Sequence, residues 1–328
     1  MKITNKLGLP EALIDGLIAI RRDYQRGECD FTATQLSRPP MIVRLERDHS
    51  QELEEDAEDM MWSAFGSAFH LIAARGVSPE RHELAEIRLF SAFEGKFGRK
   101  KRRWVVSGQA DLYEGRTRTI YDYKTVSPWV MVFNTHGQPE WEHQLNVLAE
   151  LFVREKKPVQ KLADVLLFRG WSQTDSQRNA AYPGSKVMVL DQRMWPSEQV
   201  NSFVVGRCAL LSGALECDES KIGTKVCPPC TREEQWCRAE GWAVQKIGRQ
   251  RAKRVFKPNQ LEAANKLASD LGSLFMVLPR FGRRTRCEGN CTVSRWCPDW
   301  KRYLEMLKVA EGEKDEEGPP NPMDWENK

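Results

Sequence analysis

Residues 108–125 read GQADLYEGRTRTIYDYKT and set an acid and a base, Asp122 and Lys124, two positions apart in a β-rich run. Alternate side chains of a strand share a face, so these two point together while Tyr123 points opposite. The runs RRWVVSGQADLY and RTIYDYKT flank a glycine-containing turn, which predicts a hairpin. With Gly115-Arg116 as a two-residue loop, Asp111 faces Ile120 and Gln109 faces Asp122. Any even loop length brings Asp111 and Asp122 to the same side, with Lys124 beside them. Two carboxylates so placed repel unless something positive lies between them, and a hard divalent cation bound through oxygens relieves the repulsion. An ammonium alongside helps position or deprotonate a water and stabilises charge developing on a phosphate. The plainer alternative is a surface hairpin with two solvated aspartates.

The flanking segments must position this pair. QELEEDAEDMMWSAFGSAFHLIAARG predicts a helix from about residue 54 to Arg75, stopped by Gly76 and carrying His70. ELAEIRLF (83–90) alternates like a strand; Glu86 lies on it, and Glu83 should face away from Glu86. PEWEHQLNVLAELFVREKK reads as an amphipathic helix containing Gln144, ADVLLFRGW as a buried strand, and residues 196–217 as a helix opened by Trp195-Pro196. Near the start, residues 10–24 predict a short amphipathic helix with Leu13, Leu17 and Ile20 on one face. Strands alternating with helices, plus an antiparallel pair, predict an α/β core with a mixed sheet. The chain divides into an N-terminal helical segment (1–53), a core (54–225), a cysteine-bearing region (226–310) and an acidic tail (311–328) with a disordered composition.

Six of the nine cysteines fall in two groups, CPPCTREEQWC (Cys227, Cys230, Cys237) and RCEGNCTVSRWC (Cys287, Cys291, Cys297). The second has C-x3-C-x5-C spacing. Three thiolates this close need a fourth ligand to hold a tetrahedral zinc or a cubane [4Fe–4S] cluster, and the first group supplies candidates. A zinc ribbon of Cys227, Cys230, Cys287 and Cys291 would leave Cys297 over, and six reduced thiols without metal are the third reading. Closing a loop of about 60 residues would make such a centre structural, since metal binding then contributes folding energy. Cys29, Cys208 and Cys217 stand alone and read as small core hydrophobes.

A hydrophobic content of 41% with 29% charged residues is that of a globular chain. No apolar run approaches the ~20 residues of a membrane helix, and no basic-then-apolar leader opens the sequence, so a cytoplasmic setting is expected. Net charge is +4, but residues 311–328 hold seven acids and two bases (7 − 2 = 5 net negative), so residues 1–310 carry +9. Basic clusters at 96–103 (KFGRKKRR), 245–257 (QKIGRQRAKRVFK) and 280–286 (RFGRRTR) favour a polyanionic partner.

GQADL followed by DYKT resembles the second and third motifs of the PD-(D/E)XK nuclease superfamily, in particular its RecB-like branch. FGSAFH resembles that branch's helix ending in a metal-binding histidine, at His70, and EHQLNVL its Q-x-x-x-Y motif, at Gln144, with Leu148 where the motif has tyrosine. CTREEQW, AVQKIGRQRAKRVF and RCEGNCTVSRWC are similar to phage-type members, and the likeness spans nearly all of residues 10–305, DFTATQLSRPPMIVRL and RGWSQTDSQRNAAYP included. The resemblance implies a restriction-endonuclease-like mixed-sheet core flanked by helices, with a C-terminal cysteine-clamped helical region packing back on it. It implies Mg²⁺ or Mn²⁺ at His70, Asp111, Asp122 and the Tyr123 carbonyl; Glu86, on the strand before the hairpin, is a candidate extra ligand or metal-site acid by its position. Lys124 would orient the attacking water, and Gln144 would contact DNA or hold Lys124. A [4Fe–4S] cluster is implied at Cys230, Cys287, Cys291 and Cys297, with zinc as the alternative.

The expected activity is metal-dependent hydrolysis of DNA phosphodiesters, as an exonuclease on single strands or ends in phage recombination, repair or processing. No G-x-x-x-x-G-K-[ST] occurs, so a helicase or recombinase partner would be a separate chain. The alternatives are a CRISPR-adaptation nuclease and a non-catalytic DNA-binding protein; a redox enzyme lacks any nucleotide-binding motif.

Overall fold

The two β-rich runs around Asp111 and Asp122 form the expected hairpin, at the centre of a six-stranded mixed sheet. The structure, a computed structural model, describes residues 2–23, 26–249 and 251–312; the predicted acidic tail lies outside them from residue 313 on. The chain forms two units, one of Met1–Arg44 with Ser50–Cys217, the other of Leu45–His49 with Asp218–Lys328.

The first unit opens with β1 (Lys2–Thr4), α1 (Glu11–Asp23), β2 (Phe31–Thr32) and α2 (Ala33–Leu36). Next come α3 (Pro40–Asp48), which runs on into the second unit, then β3 (Glu54–Asp56) and α4 (Ala57–Arg75). The centre is β4 (Glu83–Phe97), β5 (Lys100–Glu114) and β6 (Thr119–Val126). After it come α5 (Trp129–Phe133), α6 (Pro139–Arg154), β7 (Lys161–Phe168), α7 (Gln173–Arg178), β8 (Val187–Gln192) and α8 (Ser197–Glu216). The sheet order is β2-β5-β6-β7-β8, with β4 along the other edge of β5; the β2–β5 and β6–β7 pairs are parallel and the rest antiparallel.

Several local expectations change. The hairpin loop holds four residues, 115–118, because Glu114 pairs with Thr119. Opposed residues therefore sum to 233, which sets Asp111 across from Asp122 just beyond the last ladder pair, Leu112–Tyr121. The long helix starts at Ala57 rather than residue 54, since 54–56 pair in parallel with β1 and Asp56 caps the helix, its side chain accepting from the Glu58 N–H. In α1 only Leu17 of the expected trio is buried, against Ala57 and Met60 with Ile14 alongside; Leu13 and Ile20 stay exposed.

One face of the sheet is sealed by α6 and α8. Leu145, Leu148, Leu151 and Phe152 of α6 pack with Val200, Val204, Cys208 and Leu211 of α8 over Val106, Ala110, Ile120 and Leu162. Each of the valine, leucine, isoleucine and phenylalanine side chains among them contributes roughly 1.5–3 kcal/mol by leaving water. Gly108 lets α6 come close: a Cβ there would lie 2.5 Å from Leu148 Cδ2. Cys208 belongs to this core as expected, but Cys29 and Cys217 are only half-buried and hydrogen-bonded, to Ser107 and Ala214.

The second unit corrects the expectation of a helical region. It holds an antiparallel sheet in the order β10-β9-β11, from β9 (Cys237–Lys246), β10 (Ala252–Phe256) and β11 (Phe275–Arg284), besides α9 (Leu261–Leu271), α10 (Thr285–Gly289) and α11 (Pro298–Gly312). The strands were hard to read because their inward residues, among them Val244 and Phe256, alternate with the lysines and arginines of the basic clusters.

Candidate active site

Beyond Leu112–Tyr121 the β5–β6 ladder stops, and β2 takes up the edge of β5 further on, at Val106 and Ser107. Where the strands part, the Tyr123 N–H donates to Asp111 Oδ2 at 2.7 Å. Asp111 is thus held at the fork. The end of α4 brings His70 to it: His70 Nδ1 is 3.4 Å from Asp111 Oδ1 and 3.3 Å from Glu86 Oε1. One ligand atom from each of His70, Glu86 and Asp111 lies within 4.8 Å of the others.

Glu86 gets there by breaking its strand. Its φ is +51°, a left-handed conformation unusual for a non-glycine residue and costly inside a strand. The ladder to β5 runs Ala85–Leu112 and resumes at Ile87–Ala110, skipping Glu86 opposite Asp111. Gln109 donates to the Glu86 carboxylate and accepts from Arg88 Nη2 at 2.7 Å, which fixes the side chain. Glu83 is turned elsewhere, to Arg81 and the Ser78 N–H.

A second cluster adjoins. Lys124 Nζ lies 2.5 Å from Asp122 Oδ2 and donates to Gln144 Oε1 at 3.1 Å, while Gln144 Nε2 donates to Asp122 Oδ1 at 2.8 Å. At Oδ2 the ammonium sits directly on the buried carboxylate as a close ion pair. Gln144, one face of α6, therefore holds both Lys124 and Asp122. Leu148, where the resembled motif has tyrosine, is buried against Gly108.

The charges are strained by burial. Asp111 is pushed up to about 7, first by burial and then by the charge of Asp122. The Glu86 carboxylate raises the pKa of His70, and His70 lowers that of Glu86, as expected of a pair. Burial works against a charged Lys124, but Asp122, with Asp164 and Asp111, more than reverses this and raises its pKa. Tyr123 packs its ring edge-on to His70 and Phe69, and its hydroxyl is pushed up by burial.

Asp164 escaped the sequence reading. It pairs with Asp122 across the parallel β6–β7 ladder and is fully buried. Its Oδ2 accepts from Gln192 at 2.6 Å and its Oδ1 has no partner; burial and then Asp122 push it up to about 7. The available signal was a lone acid inside the apolar run ADVLLF.

In the second unit, Cys230 lies within electrostatic reach of Cys287 and Cys297, and Cys291 within reach of both Cys287 and Cys297. Burial raises the thiol pKa of Cys230 and takes Cys287 to about 11. Cys237 is surrounded instead by Glu240, Arg232 and Arg284. Among the described residues no three cysteine sulfurs all fall within 4.8 Å of one another. Part of the third basic cluster serves the fold: Arg284 is buried on Asp299 and the Tyr303 ring, and Arg283 pairs with Glu288. In the first cluster Arg102 lies over Phe97 and pairs with Glu216, whereas Lys96, Arg99, Lys100, Lys101 and Arg103 are exposed at the β4–β5 tip.

No family model matches the chain, and no curated protein matches it. Among solved structures, one described as "Crystal structure of SSO0001" aligns with 61% of this chain and 85% of its own, at 16% identity and a TM-score of 0.41. A likeness that loose carries no argument about activity. No helix among the described residues is long and apolar enough to cross a membrane.

Proposed function

We propose that the chain is a metal-dependent deoxyribonuclease with a restriction-endonuclease-like core of the PD-(D/E)XK, RecB-like kind, hydrolysing DNA phosphodiesters from single strands or ends. The observation that carries the reading is the meeting of His70, Glu86 and Asp111 at a strand fork with the Asp122–Lys124–Gln144 cluster beside them. The donor set fits a hard divalent ion: an imidazole nitrogen and carboxylate oxygens converge, and the Asp111 carboxyl, pushed up to about 7 by burial and then by the charge of Asp122, would be favoured in its ionised form by a cation beside it. Glu86 joins His70 and Asp111 in holding it, and Asp122 lies close enough for its charge to act on both.

Mg²⁺ or Mn²⁺, when bound, would supply Lewis acidity and a more acidic water. The chain's own residues do the rest. Lys124 stays protonated at neutral pH, so it orients an attacking water by donation and offsets negative charge on the phosphate rather than abstracting a proton. Gln144 fixes its ammonium and Asp122 in one geometry. The exposed lysines and arginines of the β4–β5 tip are suited to backbone phosphates, which carry no sequence information.

The likeness of the cysteine motifs to phage-type RecB-like members favours a [4Fe–4S] cluster at Cys230, Cys287, Cys291 and Cys297, with zinc as the alternative. Cys237 lies in other surroundings, which favours Cys230 as the fourth ligand.

Digestion of end-labelled DNA with Mg²⁺ or Mn²⁺ tests the reading. Wild type should release labelled product, and Asp122→Ala should lose at least ~10³-fold in rate while still binding DNA. Wild type and Lys124→Ala degrading DNA equally poorly would leave a non-catalytic DNA-binding protein.

A further inference from the structure

Beside the hydrolytic site, α4 leaves large aromatic side chains in solvent, with Trp62 54% and Phe65 55% exposed. At 100° per residue Trp62, Phe65, Phe69 and Ile72 fall on one stripe, next to the flank bearing Gly66 and His70. α1 packs elsewhere on α4, against Ala57 and Met60, and leaves this stripe uncovered. Gly66 backs onto β6 just past Lys124: a Cβ there would lie 3.7 Å from Thr125 Oγ1. Phe69 meets the Tyr123 ring edge-on at 5.4 Å.

Arg169 reaches the stripe from the end of β7. Its backbone N–H donates to the Val126 carbonyl at 2.9 Å, and its guanidinium lies 4.8 Å from the centre of the Trp62 ring. Among the described residues no carboxylate forms an ion pair with it. An aromatic pair and a cation without a carboxylate partner therefore lie together at the helix that also carries His70, packed on the Tyr123 and Thr125 side of β6.

We propose that Trp62, Phe65 and Arg169 form a stacking platform for unpaired nucleobases, which selects single-stranded DNA for the hydrolytic site that His70, on the same helix, helps to build. The inference rests on the nuclease reading for its substrate. Every base has a π-face, so aromatic stacking binds a single strand whatever its sequence, and a guanidinium over the ring suits the adjoining phosphate. A duplex keeps its base faces stacked on one another and has none to offer. The arginine is what favours a nucleic acid over a second copy of the chain or another protein, for which an apolar face alone would suffice.

The test is fluorescence anisotropy of the full chain in chelator, so that nothing is cleaved. Three probes of roughly 20 nucleotides, within reach of such sites, are compared: oligo-dT, an abasic strand and a blunt duplex. Wild type should bind oligo-dT about tenfold or more tighter than the abasic strand. Trp62→Ala/Phe65→Ala should weaken oligo-dT about 10- to 100-fold and leave the other two probes unchanged, with Trp62→Phe close to wild type. Unchanged oligo-dT binding, or an equal loss on all three probes, overturns the platform. So does a dimer in sedimentation that the double variant lacks while its oligo-dT affinity is intact. Should the double variant melt early, Trp62→Leu, which keeps an apolar side chain but no ring, decides on the same criteria. A chain that stacks oligo-dT but cleaves nothing with Mg²⁺ or Mn²⁺ refutes the hydrolytic reading and keeps the platform; one that cleaves while its variants bind as wild type does the reverse.

Discussion

Glu86 shows how much one residue can be asked to carry. Its left-handed backbone spoils a strand pair and aims its carboxylate at His70 and across from Asp111. Glu86→Gln should keep the shape but weaken Mn²⁺ binding, read by calorimetry, by about tenfold or more. Protons compete for the same site. Asp111 and Asp164 both have pKa values of about 7 against 3.8 for an ordinary aspartate. A raised value means the folded state binds the proton more tightly, so their contribution to stability is complete below about pH 4 and is lost as pH rises through about 7. Without metal, the melting temperature should fall between pH 5 and pH 8, and Asp164→Asn should flatten that fall. A slope unchanged in the variant would mean that Asp164 is not protonated in the folded chain. Mn²⁺ should restore stability chiefly at the alkaline end, where the carboxylates are ionised. Asp122 and Lys124 stand out because acid-x-base in a strand is a local pattern; Asp164 shows in the sequence only as a lone acid in an apolar run, and its meaning comes from a parallel neighbour 42 positions away (164 − 122).

At the scale of elements, the reading of helices and strands by period succeeded where one face is apolar and the other polar. α6 and α8 fall almost where expected, because each presents a continuous apolar stripe to the sheet. It failed in two instructive places. α1 has three apolar residues in helical register, yet only Leu17 meets a partner. In β9, β10 and β11 a two-residue period was hidden under basic side chains whose role had been assigned to binding, although Arg284 is a buried ion-pair member. The second unit's sheet also depends on Gly241, where φ is +157° and a Cβ would stand 2.0 Å from the Phe256 carbonyl oxygen. That atom is backbone and cannot rotate away, so Gly241→Ala should force β9 and β10 apart and cost on the order of 1–3 kcal/mol, measurable as an earlier thermal transition. An unaltered melt would show that the pair is looser than drawn.

For the molecule as a whole, chemistry is divided between the units: all six residues of the candidate hydrolytic site lie in the first, and the four proposed cluster ligands in the second. The loop those cysteines would close, from Cys230 to Cys297, is therefore internal to the second unit. Protein purified without oxygen should be brown and contain iron, and Cys287→Ser should lose both the colour and much of the second unit's thermal stability. Colourless protein with stoichiometric zinc would replace the cluster by a zinc site. If the proposed cluster contributes folding energy rather than redox chemistry, its oxidative loss should lower stability before it lowers the rate of the proposed phosphodiester cleavage at a given folded fraction.

By itself the sequence determined the chemical vocabulary: an acid and a lysine on one strand, a histidine on a helix, a glutamine on another, and thiols at ligand spacing. These are short-range patterns set by side-chain periodicity, and they survive an error of two residues in a hairpin loop because strand faces repeat every two. Only the tertiary structure decided which groups meet. The parting of β5 and β6 makes the recess, the broken pairing at Glu86 fills it, and the neighbouring strand places Asp164 behind Asp122. Those are contacts between segments far apart in the chain, fixed by the packing of α4 and α6 rather than by any local preference.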